Sequence, residues 1–414
     1  MLQLALFLLL IALAPLAQAR ETAWVLPKGI SRLRLVGVST TGVRDTFNDV
    51  GKIQGVSNTL NRDVSIQDLA QAADPATRAQ LQTLVGTLNR LQPGLGDNLA
   101  GSSIFSDVAI QQQIYLGAFE YGLTSKVSLG IRVPVVRRNI DNQFSATGRN
   151  NAAAASRALG DLSDDARAGL GGVGALDLNT GYFENALFAS KGYDLPRSFS
   201  RTQLGDIELG GKYEIHKGES TYTSALVGLG LPTGAAYNIR SPFDRGNSRE
   251  AWSYAAQLLQ EVYPVKGLTL GANARLGYSL RDSRERAVPR SAEDSLPSVR
   301  AEDGQVENVA RQRGLQLDSE VSAGYRFAKE KWGLWAAYQY ASKGTDRFFG
   351  QGSLYYEGLS PNTSYQLHTA ELGAEFSTIS AFRAGSFPLP LEVTLLVNTP
   401  FAGVNSPMAP YARV

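Results

Sequence analysis

The 414-residue chain contains no cysteine. That excludes a disulfide framework, a thiolate metal site and a cysteine nucleophile, and it leaves export to an oxidising compartment unopposed. Histidine is nearly as scarce, with only His216 and His368, so imidazole-rich catalytic or metal clusters have little to draw on. An excess of one charge is also missing, because 40 basic residues face 38 acidic ones for a formal net charge of +2. Such a balance offers no phosphate-neutralising surface, and no nucleic-acid partner is expected. Past the first residues, no stretch stays apolar for the ~18 residues that a membrane-crossing helix needs.

The one long apolar run is at the start. Residues 2–13 are apolar almost throughout and are followed by Pro15 and the small-residue set Ala17, Gln18 and Ala19. This reads as a secretory signal peptide over residues 1–19, leaving a mature chain from about Arg20. Only Met1 precedes the apolar run, with no Lys or Arg. The alternative, an N-terminal anchor, is disfavoured because the run falls short of the ~20 residues a spanning helix requires.

What is present in quantity is Gly (42), Tyr (17) and Phe (16), a composition suited to strands joined by tight turns with aromatics at an interface. Leu268, Leu270, Ala272, Ala274, Leu276, Tyr278 and Leu280 alternate without fault with Thr269, Gly271, Asn273, Arg275, Gly277, Ser279 and Arg281. The same period of two marks 127–135, 207–215, 315–327 and 391–398. It is weaker in 31–39, 108–120, 221–231, 252–262, 332–340 and 368–376, and partial in 408–414. A soluble sandwich also alternates, but its strands usually run about 5 or 6 residues, whereas a tilted membrane strand needs about 9 to 11.

Connections provide a second criterion. Short links near 123–126, 217–219, 264–267 and 328–330 take turns with long polar segments near 142–202, 238–250, 282–313 and 343–363, the asymmetry of periplasmic turns and extracellular loops. Tyr213, Tyr325, Phe327, Trp332 and Phe376 fall near the short-turn ends, while Trp252, Tyr254, Tyr278, Tyr338 and Tyr340 fall near the long-loop ends, giving two girdles. The expected fold is all-β: a transmembrane antiparallel up-and-down β-barrel of about 12 strands over residues 20–414, set among bacterial outer-membrane lipids around a polar lumen, with helical insertions in its extracellular loops.

On the polar parity stand Arg132, Arg138, Asp206, Glu208, Lys212, Arg275, Arg281, Asp318, Glu320, Arg326, Glu371 and Glu375, which are expected to line the lumen. Interleaved opposite charges offset one another's burial cost and suit a wet pore. Within the insertion at 66–91, Asp74-Pro75 reads as an N-cap with proline at the first helical position, and Leu81, Leu84, Val85, Leu88 and Leu91 form one apolar stripe. Such a helix either folds into the lumen as a plug or packs on the loops as a cap. A second helix-prone patch, 152–168, groups Asp161, Asp164 and Asp165, but it lacks the alternating oxygen ligands of an EF-hand and reads as solvated charge. No metal and no cofactor are expected.

Catalytic constellations are sparse. His216 shares the parity of Lys212 and Glu214 but lies at a short turn and reads as a solvated interfacial residue. His368 with Ser342 is the one nucleophile-and-base pair worth naming. A barrel phospholipase would place its serine two residues after the histidine, where this chain has Ala370, so a lipid hydrolase is a remote alternative and no enzyme is expected. The pairs Asp318 with Glu320 and Glu371 with Glu375 share a strand face, which says only that they look into the same lumen.

Three stretches carry a family resemblance: Phe119-Glu120-Tyr121-Gly122-Leu123-Thr124 leading into Val127-Ser128-Leu129-Gly130; Leu204-Gly205-Asp206-Ile207 with Gly211-Lys212-Tyr213; and Gly228-Leu229-Gly230-Leu231-Pro232-Thr233-Gly234. They resemble the outer-membrane family of the meta-pathway of phenol degradation. The resemblance implies a transporter-like barrel for small aromatic or other hydrophobic molecules, with no catalytic residue to carry over. The expected function is thus a channel or transporter for a small-molecule solute; the alternative is a non-conducting surface barrel whose long loops bind a partner. Barrel chains commonly finish on an aromatic residue, whereas this one stops at Val414 after a short last strand.

Overall fold

The computed structural model describes residues 21–414 apart from 59–60, 67–74, 98, 148–179, 242, 245, 293, 295 and 329. The expected leader and the 152–168 patch, with Asp161, Asp164 and Asp165, lie outside the described residues. Twelve strands form one ring: β1 (Ser31–Thr40), β2 (Ala100–Gly122), β3 (Val127–Thr147), β4 (Ile207–Lys217), β5 (Thr221–Leu231), β6 (Ser253–Val262), β7 (Leu268–Ser279), β8 (Gln316–Phe327), β9 (Trp332–Lys343), β10 (Tyr365–Ser377), β11 (Glu392–Val404) and β12 (Tyr411–Arg413). Each pairs antiparallel with its chain neighbours, and β12 pairs with both β11 and β1, so the ring has no free edge.

The alternation sorts the two faces. In β7, Leu270, Leu276 and Tyr278 are exposed on the outside, while Asn273 and Arg275 turn inward and are half-buried. Leu33, Leu35, Val227, Leu334 and Leu372 extend the same outward apolar band. Where chain direction must reverse quickly, backbone freedom decides the residue. Gly267 sits at φ +85°, and a Cβ there would meet the Arg326 carbonyl oxygen at 2.5 Å.

The lumen is not polar all round, which corrects the sequence expectation. Val36, Val38, Ile114, Leu116, Val136 and Tyr411 bury one another inside the ring along β1, β2, β3 and β12. Alternation is weak in β1 and β2 for this reason: Tyr115 and Phe119 face out while Ile114 and Leu116 face in, so both sides are apolar.

Strands β2 and β3 run for 23 and 21 residues, about twice what a crossing requires, and stand clear of the membrane on the long-loop side. Helix α1 (Pro75–Leu91) packs there with strand Arg62–Ser65 and helix α2 (Thr180–Leu187). Its Val85 and Leu88 are buried with Val64, Ile66, Ile104 and Phe183, Leu81 and Leu84 are partly buried against them, and Leu91 is exposed. The segment 282–313, which reads as a polar loop, instead contains a hairpin, Asp282–Ala287 against Val306–Gln312, joined by Arg347–Phe349 into a three-stranded sheet. Its charges answer one another, with Asp282 2.7 Å from both Arg286 and Arg311, and its apolar side buries Val288, Val309 and Phe348.

Closure rests on little backbone, since β12 pairs over three residues on each side, extended by reciprocal 2.8 Å bonds between Gly37 and Val414. A side-chain knot supplements it. The fully buried Glu371 carboxylate accepts bonds from Arg413 (3.3 Å), Trp335 Nε1 (3.1 Å), Gln339 Nε2 (3.3 Å) and Asn398 Nδ2 (3.4 Å). Removing one partner of such a pair leaves a buried charge uncompensated. Arg413→Ala is expected to lower the unfolding free energy of the barrel in lipid vesicles by about 3 kcal/mol. A urea midpoint equal to that of the parent protein would show that backbone pairing alone holds β12.

Candidate functional site

The periplasmic end of the ring is occupied by the chain's own N-terminal segment. Before β1 begins, Gly29 donates to the Gly122 carbonyl (2.8 Å), and the residues ahead of it turn up into the lumen. Glu21 reaches three cations: it contacts Arg132, lies 3.0 Å from Lys212 Nζ and lies 3.8 Å from Arg34. Lys212 Nζ also donates to the Thr22 carbonyl (2.9 Å). Ala23 has no exposed surface and sits with Tyr222 and Leu259, while the Trp24 ring stacks on Tyr222 at 4.8 Å and its Nε1 donates to the Tyr263 hydroxyl. A carboxylate, a stacked indole and a buried alanine thus fasten the segment inside the wall.

Above it, one carboxylate serves several cations. Glu208 lies 3.6 Å from Arg249, 3.8 Å from Arg132 and 3.9 Å from Arg275, close to none of them. Over this centre and under the three-stranded roof is a cavity of about 220 Å³. Its cationic lining is Arg132, Arg138, Arg249, Arg275, Arg284, Arg311, Arg313 and Lys343; its anionic lining is Asp206, Glu208, Glu250 and Asp318. An aliphatic patch of Ile114, Leu116, Pro134 and Val136 also lines it, set between Arg132 and Arg138 on the inward face of β2 and β3. Burial, with Arg311 adding like charge, lowers the Arg313 guanidinium in the loop before β8 to about 9, so it stays charged at neutral pH.

A smaller space of about 60 Å³ lies beside this centre where the wall is thin. Gly130, Gly210, Gly228 and Gly230 line it, and it touches the outward Leu129, Ile131 and Leu209 as well as the inward Arg132 and Lys212. The β3 to β4 ladder ends at Arg132, and past Pro134 the strand Phe199–Leu204 takes over the pairing with β3.

The remaining sequence candidates are distributed as follows. Glu320 accepts a bond from Gln339 Nε2 (3.1 Å), and Asp318 from Gln316 Nε2 (3.0 Å). Arg326 pairs with Glu375 (2.6 Å) and lies 3.5 Å from Glu392 at the periplasmic rim. Asp206 is held by bonds from the backbone of Gly234 (3.0 Å) and Arg249 (2.6 Å) and from Ser248 (2.7 Å). Arg281 departs from the expected lumen position: β7 ends at Ser279, the parity does not carry past it, and the exposed Arg281 lies over the Phe349 ring at 4.6 Å. His216 is exposed at the end of β4. His368 Nδ1 is 2.7 Å from the Tyr338 hydroxyl, and the register sets Tyr340 opposite His368 and Gln366 opposite Ser342.

Sequence reading missed Glu21, Arg249, Arg284, Arg311 and Arg313. Nothing local marks Glu21, since its partners are far along the chain. The arginines do carry a signal, because Arg284 and Arg286, then Arg311 and Arg313, recur at spacing two beside Val309 as they would in a hairpin.

A closed ring of twelve antiparallel strands, lipid-facing outside, with short turns at one end and long loops at the other, is the architecture of an outer-membrane β-barrel, and this protein is of that class. Residues 159–377 match the family described as "Putative MetA-pathway of phenol degradation", and the chain belongs to that family. Among solved structures, an outer-membrane channel from Pseudomonas putida F1 is similar with a TM-score of 0.52 at 10% identity, over 96% of this chain and 98% of that one, which shows the shared fold. The Pseudomonas putida toluene transporter TodX aligns over 94% of this chain and 89% of its own at 12% identity, with a TM-score of 0.34. No curated protein matches the sequence.

Because the chain lacks cysteine, the N-terminal segment can be probed by one thiol. In Ala23→Cys, a membrane-impermeant maleimide should label slowly. Adding Glu21→Ala should speed labelling by at least about tenfold, as expected when a buried ion pair is lost. Equal labelling rates in the two backgrounds would show that Glu21 does not hold the segment.

Proposed function

We propose that the protein is a channel that admits small molecules across the outer membrane, with small aromatic or other largely apolar solutes as cargo, and that residues 21–27 form its constriction. The observation that carries this reading is the interior: a roofed cavity lined by many charges and an aliphatic patch stands over a segment fastened by a few polar contacts. A ring built only as an anchor has no use for so many buried charges, each of which costs desolvation unless paired or hydrated. The aromatic cargo is supported by the family's description, which refers to phenol degradation.

In this reading the lumen charges Arg132, Arg138, Glu208, Lys212, Arg275 and Asp318 shape selectivity, with Asp206, Glu320, Glu371 and Glu375 as structural partners. Helix α1 belongs to the roof, its stripe being taken up by Val64, Ile66 and Phe183. Planar-bilayer recording tests the proposal. The parent protein should conduct weakly, removal of residues 21–27 should raise single-channel conductance several-fold, and removal of 66–91 should change it far less. A barrel that inserts and never conducts, with or without residues 21–27, would overturn the channel and favour a surface scaffold.

A further inference from the structure

We propose that the upper-lumen cavity is a binding site for a small organic carboxylate, an anion carried on an apolar body of about aromatic size. The inference rests on the channel reading and specifies its solute.

The cavity is short of negative charge. Of its eight cationic side chains, Arg311 is matched by Asp282, Arg284 by Glu250, Lys343 by Asp346 (2.5 Å) and Arg132 by Glu21. Arg249 and Arg275 share Glu208 at distances beyond 3.5 Å. Two have no carboxylate within ion-pair distance among the described residues, although Asp244 acts on Arg138 and Asp346 and Asp282 on Arg313 from farther off. Arg138, 4% exposed, donates to the Gly246 carbonyl (3.3 Å) and Asn247 Oδ1 (2.9 Å), and the nearby Asp244 is engaged by Arg201. Arg313 donates to the Arg249 carbonyl (3.0 Å). Among the described residues, the Nε groups of both Arg138 and Arg313 are buried with no acceptor. Buried donors left in this state cost free energy that an incoming anion would recover, and a guanidinium presents its donors in the fork that a carboxylate fits.

The aliphatic patch beside Arg138 decides the rest of the ligand. Ile114, Leu116 and Val136 line the cavity on the same inward face as Arg132 and Arg138, and an inorganic anion would leave them wet, whereas a ring or short chain would cover them. The lumen already holds one carboxylate by the same chemistry, since Glu21 lies between Arg132 and Lys212 directly below. A solute carboxylate passing downward from Arg138 therefore meets cations that it can take over from Glu21.

Calorimetric titration of the detergent-purified chain with benzoate, benzamide, benzylammonium and inorganic phosphate tests the site. Benzoate should bind saturably, benzamide and phosphate at least about tenfold more weakly, and benzylammonium not at all. Arg138→Gln and Arg313→Gln should each weaken benzoate by about tenfold or more, with heat-modifiable gel mobility confirming folded barrels. Equal binding of benzoate and benzamide, or of benzoate and phosphate, overturns the proposal on the parent protein alone, and benzoate affinity unchanged in the folded variants does so as well. Bilayer recording separates this from the channel reading. Conductance without benzoate binding sinks the site and spares the channel, while benzoate binding without any conductance sinks the channel and spares the site.

Discussion

Inside a bilayer no water is available to backbone N–H and C=O groups, so every one of them must be answered within the protein, and for strands this means a closed ring. Everything else here follows from how that ring is shut. The last strand supplies only Tyr411–Arg413, and Arg413 supplements the scant backbone by reaching along the inner wall, past β11, to Glu371 on β10. Arg413 and Glu371 are both buried, and each makes the other's burial tolerable. Trp335, Gln339 and Asn398 complete the shell, so the seam is locked from within.

Closure then dictates the interior. Side chains that point inward have one another or enclosed solvent as neighbours, and two solutions appear side by side. Where β1, β2, β3 and β12 meet, one patch of inward residues is apolar and packs. Elsewhere on the inner face, including at Arg413 of β12, they are charged and must find partners, which most do: Arg326 with Glu375, Arg413 with Glu371, and Lys212 with Glu21. The places where matching is loose, around Glu208 and at Arg138 and Arg313, coincide with the cavity. Loose matching where there is room for a visitor is the physical basis of the functional reading.

The barrel itself was legible wherever one face met lipid and the other met charge. In β7 and β8 a two-residue period survives intact because Leu270 and Val321 face out while Arg275 and Glu320 face in. It faded in β2, where Ile114 and Leu116 serve the lumen and Tyr115 serves the lipid. The roof was hidden for a different reason: Asp282, Arg284, Arg286 and Arg311 look like a solvated loop until the hairpin register brings them together. Arg281 shows how parity misleads at a strand end, since two residues past Ser279 the side chain already stacks on Phe349. Glu21 was beyond local pattern, because what defines it is contact with Arg132 and Lys212, more than a hundred residues away.

The most direct measurement is a nitroxide scan of positions 268–279, one cysteine at a time, in proteoliposomes, comparing collision with lipid-dissolved oxygen and with a water-soluble nickel chelate. Labels at 270, 272, 274, 276 and 278 should favour oxygen, and those at 269, 271, 273, 275 and 277 should not, in strict alternation. A profile without that two-residue period, or one in which both faces meet water alike, would contradict a lipid-facing ring and everything inferred from its lumen.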